Sequence, residues 1–479
     1  MDVFGSRGSV RSCGSDRRGG RARARVVRDA LGRALNARRA RYRRLLTLAL
    51  LVAGFWGSAD PARAQAPVPA GDAANPGTNL RHELPPPKVS VITFGPGDET
   101  FSKFGHDAIL LSDPRLPPQQ RELVFNYGTF RFDSPWLILD FLKGKLSYWL
   151  SVSTLQQTLA VYRRANRSVA VQELSLSPEA VRALSAFLYE NVKPENAYYR
   201  YDYYRDNCAT RIRDVVDRFV GGRLAAASRG RAPLTYREHT RRLTVGAPLL
   251  FFGLDLAMGP LIDQPVSEWE EMFLPARVAA KLDQISDDHG APLVRNRYLL
   301  FEAKRPPESG VAPSYRWGWL ALGLSFGAAL YALGRWGGRA PRIAQAFGIS
   351  VFSVLAGLLG SALLVLWLLT DHDVTYWNQN VLLCPIWALA IPVLAFDFAR
   401  QTPRHSRLMM KLVAASVASA LLALLLLLSP LRQSTGPAVS FFLPVWLGLG
   451  LGVWERQGRP ALGFLPGAVR GRADPPPVV

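Results

Sequence analysis

Beyond Tyr315 the chain carries five apolar runs, at about 317–334, 343–370, 381–398, 412–428 and 441–455. Each is close to the ~20 residues a helix needs to cross hydrocarbon. In lipid a spanning segment must satisfy its own backbone N–H and C=O groups, so residues 315–458 are expected to form an all-α transmembrane bundle of about five helices. The connecting loops alternate in charge. Arg335, Arg339 and Arg342 are followed by Asp371 and Asp373, then Arg400, Arg404, Arg407 and Lys411, then Arg432 alone, then Arg456 and Arg459. The positive-inside rule places the basic loops, the C-terminus and a tail at 459–479 in the cytoplasm, and residues 66–314 outside. Gly448, Gly450 and Gly452 lie inside an apolar run with no strand before them, which points to close helix packing rather than a nucleotide loop.

The other end of the chain agrees with that topology on different physics. Residues 1–44 hold 14 Arg and 3 Asp, a net +11 of the chain's formal +21. They run directly into Leu45–Trp56, an apolar stretch of signal-peptide length, and then Ala62-Arg63-Ala64, with small residues spaced for a cut before Gln65. Residues 1–64 therefore read as an Arg-rich leader and signal peptide, the alternative being an uncleaved anchor that leaves the next domain on the same side. Since over half of the excess charge is in this leader, the basic balance gives no reason for a nucleic-acid partner. Residues 65–88, rich in Pro, Ala, Gly and Asn, read as a disordered linker. The whole is a multi-pass protein of a bacterial inner membrane with a periplasmic domain at 89–314.

That domain mixes periods. Val89–Phe94, Ala108–Leu111, Leu123–Tyr127, Leu146–Val152 and Val169–Leu174 read as strands. Helices are expected at about 155–164, 178–192 after Ser177-Pro178, 208–220 before Gly221-Gly222, and 267–273 behind the Ser267/Glu270 capping signature. About 220 interleaved residues suffice for one α+β core.

Cys13 lies in the leader and Cys384 in an apolar run, which leaves Cys208 as the domain's one thiol. Such a cysteine is a small buried hydrophobe, an intermolecular bridge or a reactive thiol. Its surroundings favour the last. In Tyr203-Tyr204-Arg205-Asp206-Asn207-Cys208-Ala209-Thr210-Arg211, the Asp206-Asn207 pair offers an N-cap and puts Cys208 in a first helical turn, where the helix dipole favours thiolate. The backbone N–H of Cys208 is a candidate oxyanion donor, with the Asn207 side chain a possible helper. A base is also needed, and His106 in Phe104-Gly105-His106-Asp107-Ala108-Ile109-Leu110 opens an apolar strand beside Gly105, which lets the backbone come close. His239, in the Arg-rich stretch Arg237–Arg242, and His289 read as solvated turns. No HExxH, CxxC or paired-His spacing occurs, so neither a metal nor another cofactor is expected. The run Tyr198, Tyr199, Tyr201, Tyr203, Tyr204 reads equally as an interfacial belt or as core, and Leu249–Ile262 as a segment that packs or dips into the outer leaflet.

The FGHDAIL and DNCATRIRD segments, with LLFFGLDLAMGPLID after them, resemble the periplasmic domain of the Lnb-type lipoprotein N-acyltransferase family over roughly 89–300. The likeness extends to the external loop Asp371–Asn380, with His372, Thr375 and Asn378. It implies a papain-like thiol fold with His106 and Cys208 as the catalytic pair, and a functional role for the loop, including His372 and Asn378, where the bare sequence offers a solvated connector. It also implies acyl transfer from a phospholipid donor, through a Cys208 thioester, to the α-amino group of a lipoprotein acceptor by ping-pong kinetics, with the membrane as a partner. The rival readings are a papain-like amidase or peptidase acting on cell-wall peptide, which has no use for five spans, and an inactive scaffold, which has no need of both Cys208 and His106. A permease is a third, and it would carry more charge within its spans.

Overall fold

In the computed structural model of the chain, residues 86–130, 147–287, 290–312, 314–399 and 403–458 are described, and all belong to one compact unit. The leader, the signal peptide, most of the linker, His289 and the C-terminal tail lie outside the described residues.

The first half is built on a seven-stranded, all-antiparallel sheet, in the order β6-β4-β3-β2-β1-β5-β7. The strands are β1 Lys88–Phe94, β2 His106–Ser112, β3 Glu122–Thr129, β4 Ser147–Thr154, β5 Val169–Leu174, β6 Tyr198–Arg200 and β7 Val294–Phe301. Helix α1, Leu155–Arg164, covers one face, where Leu155, Leu159 and Tyr162 meet Ile92, Phe94, Ala108, Leu110 and Val124. On the other face α2, Pro178–Asn191, and α3, Cys208–Phe219, bury Leu184, Leu188, Ala209, Ile212 and Val216 against Val89, Val91, Ile109 and Phe125. Burial on both faces explains why β1 and β2 read as nearly continuous apolar runs rather than alternating ones.

The caps expected at Ser177 and Ser267 are made. Ser177 caps α2 with Pro178 at its first position, and Ser267 with Glu270 caps a single turn at Glu268–Glu271, shorter than the 267–273 helix expected; a further capping box, Thr154 with Gln157, opens α1. Strands β6 and β7 were not anticipated. β6 has three residues, and β7 is an edge strand with Arg295 and Arg297 in it, so neither offers a long apolar pattern.

The largest correction concerns Arg237–Arg242. This segment is not a solvated turn but a capped helix, α4, Tyr236–Leu243, with Arg237, His239 and Arg242 buried. His239, at 0% exposure, donates through Nε2 to Glu271 at 2.8 Å while Nδ1 accepts from Arg242 Nε at 3.0 Å. Arg237 reaches the carboxylates of Asp255 and Asp263 and the backbone carbonyls of Asp255, Met258 and Gly259. Buried charge at this density is tolerated because every donor has an acceptor.

Among the described residues of the second half, five helical segments are long and apolar enough to cross a membrane: Arg316–Arg335, Arg339–Leu369, Gln379–Ala399, Ser406–Leu426 and Gly436–Gln457. The fifth, the shortest run in the sequence, is part of the 23-residue helix Gly436–Gly458. The third is discontinuous, two 3-10 turns at Gln379–Leu382 and Ile386–Ala390 followed by a helix at Ile391–Ala399. Pro385 and Pro392 remove the donors an unbroken helix would need. The glycine run is a packing surface. A Cβ on Gly448 would stand 2.1 Å from the Gly327 carbonyl oxygen, and one on Gly452 would stand 2.6 Å from that of Leu330.

The two halves meet through helix α5, Pro248–Ala257, the core of the apolar segment at 249–262. Leu256 joins the buried cluster of the membrane helices, and Phe252 and Ala257 pack against it, while Leu249 stays 78% exposed. Arg241 pairs with Asp255 and donates to the Ser434 carbonyl at 2.5 Å. Replacing Arg237 by Leu removes the ion pair to Asp263 and leaves Asp255 with Arg241 alone, and we expect a loss of about 3–5 kcal/mol. A clear drop in the thermal midpoint of detergent-solubilised protein would report it, and an unchanged midpoint would show that the cluster contributes nothing net.

Candidate functional site

The first turn of α3 is organised by Asn207. Its side-chain oxygen accepts from Thr210 N at 2.9 Å, and Thr210 Oγ1 accepts from Asn207 N at 2.8 Å, a reciprocal capping box that sets Cys208 at the first helical position. The Asn207 amide donates to the carbonyls of Tyr203 at 2.8 Å and Phe273 at 2.9 Å. Both amide hydrogens are thus committed, so Asn207 holds the turn and has none free for an oxyanion. Asp206 forms a two-point ion pair with Arg211. Tyr204 is core rather than interface. It is 2% exposed, its hydroxyl lies 2.8 Å from Thr240 Oγ1, and its ring packs on Tyr236 and Phe273. Tyr198, two turns of chain away, is 61% exposed.

The strands open where α3 points at them. Pairing of β2 with β3 runs from Ser112↔Glu122 to Ile109↔Phe125, and the β3–β4 register shifts between Asn126 and Thr129. Gly128 lies in this irregular stretch at φ +94°. A Cβ there would be 3.6 Å from Cys208 Cβ, 3.7 Å from His106 Cε1 and 3.9 Å from Tyr199 Oη. The two segments singled out in the sequence, about a hundred residues apart, therefore face one small space. Gly105, at φ +81°, brings β2 in so closely that a Cβ would lie 3.0 Å from the Phe94 carbonyl oxygen.

His106 has an orienting partner that sequence reasoning missed. Its Nε2 lies 2.5 Å from Asn126 Oδ1 on β3. Because that oxygen only accepts, Nε2 carries the hydrogen and Nδ1 keeps a lone pair to receive a proton. The available signal was a single amide within the apolar strand Leu123–Tyr127. The imidazole sits in line with the rings of Phe94 and Tyr162, at centroid distances of 5.8 and 6.5 Å.

Burial dominates the electrostatics. It pulls the His106 pKa down to about 4, against the Asn126 hydrogen bond that raises it, with the Arg167 charge lowering it further. It also pushes the Cys208 thiol up, although the backbone N–H groups of Asp107, Ala209 and Cys208 and the Arg167 guanidinium all favour thiolate. The helix start does stabilise the anion, as its position predicted, but desolvation is the larger effect. Cys208, 7% exposed, and His106 thus rest as a neutral pair. Asp107, also buried, is pushed up to about 8 by desolvation and by the neighbouring thiol.

The external loop is docked rather than solvated. Asn378 donates to the carbonyls of Leu256 and Ala257, each at 2.8 Å, and accepts from Asn380 N and Gln433 Nε2. Asp371 pairs with Arg200 and Asp373 with Arg205, so the loop grips the segment that leads into Cys208. His372 is half-buried within this loop. Among the described residues, no group of three His, Cys, Asp or Glu side chains is placed to hold a metal ion.

A neutral resting pair has a direct readout. With the thiol above its ordinary range, iodoacetamide alkylation of Cys208 should climb steadily through alkaline pH and show no plateau between pH 5 and 8. A plateau there would instead reveal a preformed thiolate–imidazolium pair.

Comparison with curated proteins and with solved structures returns no significant match. Residues 78–242, which include Gly105, His106, Asn126, Gly128, Tyr199 and Cys208, match the family model of the Lnb N-terminal periplasmic domain, in agreement with the likeness of the motifs in this part of the chain.

Proposed function

We propose that the protein is a thiol-dependent acyltransferase of the membrane surface. It moves an acyl chain from a phospholipid to Cys208 and from there to an amine, with the N-terminus of a bacterial lipoprotein as the acceptor that the family likeness implies. One observation carries this reading. A buried nucleophile, a base and its orienting amide converge in a domain that is seated by polar contacts on five apolar helical segments. The nucleophile at a helix start, with an Asn-held histidine on the neighbouring strands, is the arrangement of a papain-like thiol site.

In the first half-reaction Cys208 Sγ attacks the ester carbonyl while His106 Nδ1 takes the thiol proton. The tetrahedral adduct collapses, the ester C–O bond breaks, and the lysophospholipid oxygen leaves with the proton from the imidazolium. In the second, an amine attacks the thioester, gives a proton to His106, and departs as an amide while the thiol is restored. The loops at Asp371–Asp373 and Gln433–Ser434 contact the domain, and the charge rule puts these poorly basic loops outside. The domain then stands in the periplasm, and the C-terminus lies in the cytoplasm.

Intact mass spectrometry after incubation with phosphatidylethanolamine/phosphatidylglycerol vesicles, without acceptor, tests the reading. An acyl mass on wild type, released by hydroxylamine and absent from Cys208→Ala, is the expected result. His106→Ala should acylate about 10²–10⁴-fold more slowly. Folded wild-type protein that takes up no acyl group would overturn the proposal.

A further inference from the structure

Tyr199 carries a hydroxyl that is buried and has no hydrogen-bond partner. Buried hydroxyls are ordinarily paired because an unpaired one loses its hydration without return, so its retention beside a nucleophile calls for a reason. The hydroxyl faces the same space above Gly128 as Cys208 Cβ and His106 Cε1, all within 3.9 Å of one point. Its surroundings hold it there. Tyr199 is the middle residue of β6, paired in register with Tyr148 of β4. The chain from β6 to Cys208 is a tight hairpin, with the Asp202 carboxylate accepting from Tyr204 N and Arg205 N and with Asp202 bridged to Asp206. Arg200 and Arg205 tie the same hairpin to Asp371 and Asp373.

The ring carries a further contact. The Arg211 guanidinium stacks over it at 4.2 Å, held in place by Asp206. A cation over a phenol draws electron density from the ring and makes the O–H a better donor. This gives the charged pair flanking Asn207-Cys208 in the DNCATR segment a task that capping alone leaves unexplained.

We infer that Tyr199 is a catalytic residue whose hydroxyl donates a hydrogen bond to the oxyanion formed when Cys208 attacks an acyl carbonyl. The inference rests on the acyl-transfer reading above. As the Sγ–C bond forms, the carbonyl π pair moves onto oxygen, and His106 holds the thiol proton. Tyr199 shares its hydrogen with that oxygen and the N–H groups of the first turn of α3 assist. On collapse the C=O bond re-forms, the leaving oxygen takes the proton from His106, and Tyr199 has neither gained nor lost one.

The test uses the full chain and Tyr199→Phe, which keeps the ring and its Arg211 contact. Two rates are compared: thioester formation on Cys208 from p-nitrophenyl butyrate and from phosphatidylethanolamine/phosphatidylglycerol vesicles, and alkylation of Cys208 by iodoacetamide, a displacement that forms no oxyanion. We expect acylation to fall about 10²-fold while alkylation stays within about twofold. Unchanged acylation overturns the inference. A parallel fall in both rates also overturns it, because Tyr199 would then be positioning the thiol. If wild type accepts the nitrophenyl ester but not phospholipid, the donor assignment fails while Tyr199 is judged on the ester alone. If neither ester acylates a thiol that alkylates normally, both the acyl-transfer reading and the role of Tyr199 fall.

Discussion

The last carbonyls of helix Pro248–Ala257 have no partners within their own helix, and the way they are satisfied determines how the two halves of the molecule meet. Arg237 donates to the carbonyls of Asp255, Met258 and Gly259, Asn378 to those of Leu256 and Ala257, Asn380 to Leu256 and Gln433 to Met258. Cations also oppose the negative end of the helix dipole. Three of these side chains, Asn378, Asn380 and Gln433, come from the second half of the chain, so the helix end is a socket built by both halves. A greasy contact would allow the domain to slide over the bundle. Directional bonds to buried carbonyls allow one seat, since displacement by a single residue would strand several acceptors at once. The ion pairs Arg200–Asp371 and Arg205–Asp373 extend the seat to the hairpin before Cys208, so the thiol's position over the bundle follows from the same contacts.

Parts of this arrangement were legible in the sequence because they are local. Caps, the β1–β3 runs, the ends of α1 and the five apolar segments depend on neighbours a few residues away. Cys208 and His106, which the fold brings to one space, could be picked out because a single thiol beside an N-cap and a histidine at a strand mouth are rare patterns. Asn126 was not, since its role depends on β3 lying beside β2, and an amide in a strand has no signature of its own. The Arg237–Arg242 helix was misread for the same reason. Charge density usually marks solvent, and here it marks acceptors supplied by Asp255, Asp263, Glu271 and Glu308 far along the chain. Asn207 was read in the right place with an additional role that its committed amide hydrogens do not permit.

The site's chemistry follows from desolvation more than from the helix start. Burial holds His106 unprotonated at neutral pH, Cys208 as thiol and Asp107 close to its titration point. On the proposed reading charge therefore develops mainly during reaction, in surroundings where each oriented dipole acts more strongly than it would in water. That favours fixed donors over mobile ones. The first-turn N–H groups of α3 are fixed by the Asn207/Thr210 box, and the Tyr199 hydroxyl is fixed by β6 and the Asp202 hairpin.

The same burial bears on how a thiol site of this kind would separate transfer from hydrolysis. Both reactions consume a thioester, and they differ only in whether an amine or water arrives first. A neutral imidazole activates either nucleophile equally well, so selectivity has to come from access. In this molecule Cys208 is 7% exposed, the Tyr199 hydroxyl shares its space, and the Asp371–Asp373 loop grips the hairpin that leads into it. On the proposed reading, those features exclude bulk water while the acceptor's own lipid anchor delivers its amine from the bilayer side. The membrane half then does more than hold the domain in place, because it decides which nucleophile reaches the acyl group.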